Sequence, residues 1–193
     1  MARLILIRHG QSVANAERRF TRGPFEPLTE QGRLEARRTA KRLAARHAPS
    51  AIYTSPFERA RETAELIAEP FGLPVRVVDA LREQFFGELH GQPYAVFARE
   101  TAAGGLDRFR LRPPGGETLL EVAERAGPAL DAIAGRHTGH EVVVVSHGGV
   151  MAALRGWVRG DFRTPPEPTP NAGGFVLERL PDGYRGPFPL FED

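Results

Sequence analysis

Short apolar runs alternate with longer amphipathic segments along this chain. Four short stretches are predicted as strands, over residues 3–8, 50–55, 74–80 and 141–149, and the continuous apolar run of the first is too brief for a helix and typical of a buried strand. Between them, apolar positions recur with helical spacing. The predicted helices cover residues 30–47, 56–69, 93–102, 119–136 and 150–160. Strands that alternate with helices in this way favour parallel crossover connections.

Polar residues mark the expected starts of three of these helices. Thr29 can cap the first, Ser55 and Glu58 form a capping-box pattern, and Thr118 and Glu121 form another. The remaining segments have weaker signals. Residues 82–116 are irregular, residues 162–171 are rich in proline, residues 173–180 are predicted as a last, edge strand, and the tail after them is expected to be loose.

The pattern therefore predicts a three-layer α/β sandwich, with a mostly parallel central sheet and helices on both faces. We expect one domain over residues 1–193, with a small cap-like insertion at about 82–116.

Composition narrows the class of protein. The chain has 193 residues, of which 41% are hydrophobic and 26% charged, as in ordinary globular proteins. It has no cysteine, which excludes disulfides and thiolate chemistry and fits a cytoplasmic location. The apolar run at 4–7 is too short for a signal peptide or a membrane span, so we expect no membrane partner.

Charge argues against a nucleic-acid partner. The formal net charge is only +2, and the basic residues are scattered among almost as many acids. Lys41 is the only lysine, so nearly all of the basic residues are arginine, whose planar fork suits carboxylates and phosphates. A homodimer is an open alternative, since the sequence does not decide the oligomeric state.

Two predicted strands end in the same way, in His9-Gly10 and in His147-Gly148. In open α/β sheets, ligands bind beyond the carboxyl ends of strands, so both imidazoles are expected at one rim. Glycine after each histidine allows the backbone to approach a ligand closely. The helix that follows His147 points its free N–H groups at the same rim. Together with Arg8, these features predict an anion site, and phosphate is the anion that best suits an arginine fork.

The same residues resemble the histidine phosphatase superfamily, also called phosphoglycerate mutase-like. The matching motifs, in the order of that family, are "RHGQSVAN" at 8–15, "SPFERARETA" at 55–64, "LREQFFGELHG" at 81–91, "PPGGET" at 113–118 and "SHGG" at 146–149. The resemblance implies a phosphoglycerate mutase-like fold and a phosphohistidine intermediate.

The resemblance also implies a role for each matching residue. His9 is the expected nucleophile and Glu83 the proton donor to the leaving group, while Arg8, Arg59 and His147 are expected to hold the phosphoryl oxygens. The candidate substrate-binding residues are Asn15, Thr21, Arg22, Gly148 and Glu117. No cofactor and no metal ion are expected. The chemistry requires a neutral His9, whose pKa the neighbouring arginines should lower, and a protonated Glu83, whose pKa burial should raise.

Departures from the mutase pattern favour a phosphatase. The 92–116 region is short, Gly149 stands where mutases usually have Asn, Phe25 replaces a typical aspartate, and Arg22 replaces a small residue. We therefore predict a metal-independent, acid-type phosphomonoester hydrolase that acts on small phosphorylated metabolites.

Several alternatives remain open. They are a phosphoglycerate mutase, a metal hydrolase with His9, His147 and Glu83 as ligands, and a module that binds a phosphorylated ligand without turnover. The arginines at 22, 108, 110 and 112 could bind a second acidic group of the substrate, or the run at 108–112 could belong to a solvated loop.

Overall fold

The computed structural model describes residues 1–97, 108–165 and 167–191. Its strands are β1 (Ala2–Arg8), β2 (Pro49–Thr54), β3 (Val75–Val77), β4 (Glu141–Ser146), β5 (Gly174–Leu180) and β6 (Gly183–Pro189). The helices with both ends among the described residues are α1 (Val13–Ala16), α2 (Glu30–Ala44), α3 (Glu58–Ala68), α4 (Leu119–Arg136) and α5 (Gly148–Arg159). Short 3₁₀ turns occur at Glu69–Phe71, Asp79–Leu81 and Gly87–Leu89.

The strands form one sheet in the order β3-β2-β4-β1-β5-β6. The pairs β1–β4, β2–β4 and β2–β3 are parallel, and the pairs β1–β5 and β5–β6 are antiparallel. The sheet is therefore mostly parallel, as predicted.

Both faces of the sheet are covered by helices because the side chains of a strand point alternately to its two sides. Leu4 and Leu6 of β1 pack in a core cluster with residues of α4 and α5. Ile5 and Ile7 pack in a second cluster with residues of α2 and α3. All four are fully buried, and each such side chain contributes roughly 1.5–3 kcal/mol relative to exposure. The three-layer prediction is confirmed.

The parallel register brings three strand ends to the same edge of the sheet. Arg8 of β1 lies opposite Ser146 of β4, and Thr54 of β2 lies opposite Val145 of β4. The residues that follow these ends are His9, Ser55 and His147, so the fold itself brings them to one rim.

The helix caps agree with the sequence in two of three cases. The Thr29 side chain accepts the Gly32 N–H at the start of α2, and Thr118 and Glu121 form the expected capping box of α4. The prediction that Ser55 caps α3 is wrong. The N-cap residue is Phe57, which makes no side-chain capping bond, because the Ser55 hydroxyl contacts His147 instead.

A capping box was missed inside the polar segment that follows β1. Ser12 and Asn15 form it, and it starts the short helix α1.

The carboxyl-terminal segment also differs from the expectation. β5 is not an edge strand, because β6 pairs with it antiparallel, with Arg179 opposite Tyr184 and Glu178 opposite Arg185. β6 contains two glycines and two prolines, which weaken any strand pattern, and its edge position tolerates the missing proline N–H groups.

The helix predicted over 93–102 can be assessed only in part. Residues 94–97 are helical, and its remainder lies outside the described residues. Within the described ranges, no helix is both long and apolar enough to cross a bilayer.

Candidate active site

His9 and His147 meet at the carboxyl edge of the sheet. Their ring centroids are 5.1 Å apart, although the two histidines are 138 positions apart in the sequence. The His9 N–H donates to the Ser146 carbonyl at 2.9 Å, which continues the β1–β4 ladder one residue beyond the strand. The His9 backbone is therefore held by the sheet, and its ring projects from a rigid position.

Hydrogen bonds assign the tautomer of His9. Nδ1 lies 2.7 Å from the Gly10 carbonyl oxygen, which can only accept, so Nδ1 carries the proton. Nε2 is then unprotonated, and its lone pair accepts a hydrogen bond from the Arg59 Nε–H at 3.2 Å. Burial lowers the pKa of His9 well below its ordinary value, and the charges of Arg59 and Arg8 lower it further. The direction is the expected one, but burial contributes more than charge repulsion.

Two guanidinium groups flank this ring. Arg59 is buried on the first turn of α3, and its Nη1 lies 3.4 Å from both Thr21 Oγ1 and the Gly23 carbonyl oxygen. Arg8 ends β1 and donates from Nη1 to the Thr169 carbonyl at 2.8 Å, while its buried Nε has no hydrogen-bond partner. The arginines are thus oriented by backbone and hydroxyl oxygens, with donors left for an anion.

His147 contacts Ser55 through one ring nitrogen, and its ring packs against that of His9. Its Nε2 lies 2.6 Å from Ser55 Oγ, and its buried Nδ1 has no hydrogen-bond partner. Ser55 Oγ accepts the Phe57 N–H and can donate its own proton to Nε2. With the bond in this direction, the His147 proton is on Nδ1. Burial, followed by the charge of Arg59, lowers the pKa of His147 well below its ordinary value, so the ring is neutral.

Glu83 is the carboxyl group of this site. It lies in irregular chain after the Asp79–Leu81 turn and is 8% exposed. Its Oε1 accepts the Gln84 N–H at 2.9 Å, and its Oε2 is 4.0 Å from His147 Nδ1. Burial raises the pKa of Glu83, although the charges of Arg59 and Arg8 oppose the shift. The group can therefore hold a proton under conditions in which an exposed glutamate would be ionised.

These groups line a cavity of about 280 Å³. Its wall includes Asn15, Thr21 and Gly148, in addition to Arg8, His9, Arg59 and Glu83, and the apolar part comes from Phe20, Phe86, Tyr94 and Ala152. The remaining polar part comes from Ser12, Arg108, Glu167 and Thr169. His147 lies behind the wall with its edge towards the His9 ring.

Arg22 and Glu117 do not line this cavity. Arg22 is exposed, and its backbone N–H donates to Glu26 Oε2 at 3.1 Å. The Glu117 carboxylate instead pairs with Arg125 and accepts the Phe85 N–H at 2.9 Å. The structure therefore brings eight of the ten candidate residues together, and these two lie outside the group.

Three further residues belong to the site, and the sequence analysis missed them. Ser55 directly follows β2, as His9 follows β1, so the strand-end rule could have identified it. Thr169 and Asn171 come from the proline-rich loop, which carried no signal of function. The Asn171 amide donates to the His9 carbonyl and to Asn15 Oδ1 at 3.1 and 3.0 Å, which ties this loop to the end of β1.

Gly10 has a different purpose from the expected one. A Cβ at this position would clash with the backbone of Gly32 in α2, and a Cβ on Gly32 would clash with the backbone of Gln11. The two glycines allow α2 to pack against the chain just after His9. The close approach is therefore between two backbones and not between backbone and ligand.

Comparisons with known proteins agree with this geometry. Residues 4–179 match the sequence profile described as the histidine phosphatase superfamily (branch 1). The 2,3-bisphosphoglycerate-dependent phosphoglycerate mutase 2 of Gloeobacter violaceus is 37% identical over 170 residues, which cover 80% of this chain and 74% of the mutase. A metal-independent phosphoserine phosphatase of Arabidopsis thaliana is 35% identical over 161 residues, which cover 78% of this chain and 66% of that protein.

A solved structure is similar along almost its whole length. It is a mycobacterial glucosyl-3-phosphoglycerate phosphatase in complex with VO3, with a TM-score of 0.85 and 29% sequence identity, covering 95% of this chain and 96% of the other. Mutases and phosphatases of different substrates thus share this fold and these motifs.

Proposed function

This chain belongs to the histidine phosphatase superfamily, and from that premise we propose that it hydrolyses phosphomonoesters of small metabolites through a phosphohistidine on His9. The observation that carries the proposal is the unprotonated Nε2 of His9, whose lone pair accepts a hydrogen bond from Arg59 Nε–H. His9 lines a cavity together with arginines and a carboxyl group of raised pKa.

The first step transfers the phosphoryl group to the enzyme. The Nε2 lone pair attacks phosphorus while the bond from phosphorus to the ester oxygen breaks, and its electron pair goes to the leaving oxygen. That oxygen takes the proton of the Glu83 carboxyl group. Arg8, Arg59 and the Nδ1–H of His147 bind the phosphoryl oxygens and balance their negative charge, so that placement and charge neutralisation supply the catalysis.

The second step releases phosphate. A water oxygen attacks phosphorus, the Glu83 carboxylate takes a proton from that water, and the bond between Nε2 and phosphorus breaks with its electron pair returning to Nε2. Both Glu83 and His9 are then in their starting protonation states. The same carboxyl group thus acts first as acid and then as base.

Gly149 stands beside Glu83, at the position where mutases usually have Asn. A Cβ at this position would lie 2.6 Å from Glu83 Oε1, so a larger side chain would require the Glu83 carboxyl group to shift. This departure from the mutase pattern favours hydrolysis.

Two unpartnered polar groups indicate the class of substrate. Arg108 Nη1 and Thr169 Oγ1 are both buried without a hydrogen-bond partner, and both residues line the cavity. Buried polar groups are normally paired, so these two are suited to a ligand. We propose that the substrate carries a second anionic group, such as a carboxylate, near its phosphate. Arg110 is exposed and Arg112 pairs with Glu121, so neither takes this role.

A panel of phosphomonoesters tests the function. We expect phosphate release from 3-phosphoglycerate, phosphoserine and p-nitrophenyl phosphate, with inhibition by vanadate and no loss of activity with a chelator. Phosphoglycerate isomerisation that is faster than phosphate release would instead make the protein a mutase. Loss of activity with a chelator would favour the metal hydrolase, although no cluster of three or more potential metal ligands occurs among the described residues. A protein that binds vanadate but releases no phosphate would be a binding module.

The variant Arg108→Met tests the substrate class. We expect KM to rise about tenfold or more for 3-phosphoglycerate, since charge-assisted hydrogen bonds contribute about 1.5–3 kcal/mol. KM for p-nitrophenyl phosphate should change little. Arg110→Met is the matched control in the same segment, and an equal effect on both substrates would contradict the second anion site. The cytoplasmic location and the absence of a nucleic-acid partner stay predictions.

A further inference from the structure

Arg125 lies on α4, outside the cavity, and binds the backbone that carries Glu83. Its Nη1 donates to the carbonyl oxygens of Ala80 and Arg82 at 2.7 and 2.9 Å, and its Nη2 donates to the carbonyl oxygen of Glu83 at 3.1 Å. One side chain thus satisfies three backbone acceptors within four residues.

Glu117 completes this arrangement from the start of α4. Its carboxylate accepts two hydrogen bonds from Arg125, at 3.0 and 2.9 Å, and a third from the Phe85 N–H at 2.9 Å. Its backbone carbonyl accepts the Gln84 amide at 2.6 Å, and its N–H donates to the Phe85 carbonyl at 2.8 Å. The segment 80–85 is therefore held on one side by Arg125 and on the other by Glu117.

This segment needs such support because it is not part of a strand or helix. His9 and His147 directly follow β1 and β4, and Arg59 lies on α3, whereas Glu83 follows a 3₁₀ turn and precedes another. Backbone carbonyls in irregular buried chain require donors from elsewhere. A proton donor that is displaced by about 1 Å can lose much of its catalytic effect.

We propose that Arg125 and Glu117 are positioning residues that hold the Glu83 carboxyl group at the leaving-group oxygen. This inference rests on the proposed function, because it concerns the protonation step of the same reaction. It gives Glu117, which lies outside the cavity, a role in catalysis through Glu83. The alternative is a purely structural pair that stabilises the fold and affects all substrates equally.

The leaving group separates the two possibilities. An alkyl phosphate such as 3-phosphoglycerate needs protonation of a poor leaving group, while p-nitrophenyl phosphate expels a stable anion without it. General acid catalysis contributes about 10²–10⁴-fold, so Glu83→Gln sets the upper limit of the differential loss. We expect Arg125→Met to reduce kcat for the alkyl phosphate at least about tenfold more than kcat for the aryl phosphate, as a part of that limit.

Non-additivity gives a second readout. If Arg125 acts through Glu83, adding Arg125→Met to Glu83→Gln should reduce alkyl phosphate turnover no further than Glu83→Gln does alone. In the single variant the charge of Arg125, one of those that lower the pKa of Glu83, is also lost, so the high-pH limb of the alkyl phosphate profile should move to higher pH whichever role the pair has. The double variant separates the two roles, because a pair with only a structural role would give additive losses.

Arg112→Met is the matched control. Arg112 also pairs with a glutamate near the start of α4, at 2.6 Å from Glu121 Oε1, and also donates to a backbone carbonyl, that of Gly116 at 2.8 Å. It does not contact segment 80–85. Its removal should leave the ratio of the two substrates unchanged. If Arg125→Met does not fold, Glu117→Gln keeps the shape of the pair, weakens its charge, and should give the same differential loss on a smaller scale.

Two failures are distinguishable. No hydrolysis of either substrate by the wild-type protein would refute the proposed function. Hydrolysis with a differential loss in Glu83→Gln, but equal losses on both substrates in Arg125→Met and Glu117→Gln, would refute the positioning role alone.

Discussion

The contact between Ser55 and His147 makes a sharp prediction. Ser55→Ala removes the hydroxyl that lies 2.6 Å from His147 Nε2 and accepts the Phe57 N–H at 3.2 Å. Ser55 and His147 are both fully buried, so water does not readily replace the lost bonds. The substitution should therefore affect both the stability of the protein and the tautomer of the histidine.

The size of each effect follows from this burial. A buried polar group left without a partner costs about 1–3 kcal/mol of unfolding free energy. For a chain of this length, 1 kcal/mol lowers Tm by roughly 3 °C, so a decrease of about 3–9 °C is expected. Without Ser55, the proton of neutral His147 is no longer confined to Nδ1. Removal of one transition-state donor costs about 10²–10³-fold in kcat, and a donor that is only misplaced should cost less, about tenfold.

Two measurements check this prediction. Thermal unfolding followed by circular dichroism reports Tm, and phosphate release at a temperature well below Tm reports kcat and KM. Ser50→Ala is the matched control, since it makes the same change at an exposed position of the same strand and should alter neither quantity appreciably. Wild-type kcat in a folded Ser55→Ala protein would refute the tautomer argument, and an unchanged Tm would refute the assignment of the buried hydrogen bonds.

Four other predictions follow from the geometry of the site. His9→Ala should abolish turnover and the acid-labile labelling of the protein by a radioactive phosphomonoester, and retained labelling would place the covalent intermediate elsewhere. Burial lowers the pKa values of His9 and His147 in the folded state, so the unfolded chain binds more protons below the ordinary histidine pKa. The free energy of unfolding should therefore decrease as pH falls from about 6.5. Urea titrations that give a constant free energy of unfolding between pH 7 and 5 would contradict the buried, neutral state of these histidines. Activity should rise with pH as His9 loses its proton and should fall at higher pH as Glu83 loses its proton, since burial raises the pKa of Glu83. The expected profile is bell-shaped with an acidic optimum. A profile that only rises with pH would contradict the role of Glu83 as an acid. Gly149→Ala places a Cβ 2.6 Å from Glu83 Oε1 and should lower kcat for alkyl phosphates more than for aryl phosphates, whereas equal losses would show that Glu83 is not displaced.

Much of the fold was accessible from local patterns. The strands β1, β2 and β4, the helices α2 to α5 and the caps at Thr29 and Thr118 depend on residues within a few positions of one another, and these predictions are confirmed. The third strand is shorter than predicted, since it covers only Val75–Val77 and is largely exposed. The strand-end histidines were equally clear, because the parallel order of an α/β sheet brings carboxyl ends to one edge. The motifs also identified the family, because they occur in the order of its pattern along the chain.

What the sequence by itself determined was the layered architecture, the family and the convergence of His9 and His147 at one rim. Only the tertiary structure decided that Ser55 serves His147 instead of capping α3, that β6 covers the edge of β5, and that Arg108, but not Arg22, faces the cavity. Each of these depends on contacts between segments far apart along the chain, so local spacing does not encode them. The same is true of the protonation of Glu83 and His9, because burial, the largest cause of both pKa shifts, exists only once the surrounding segments have packed.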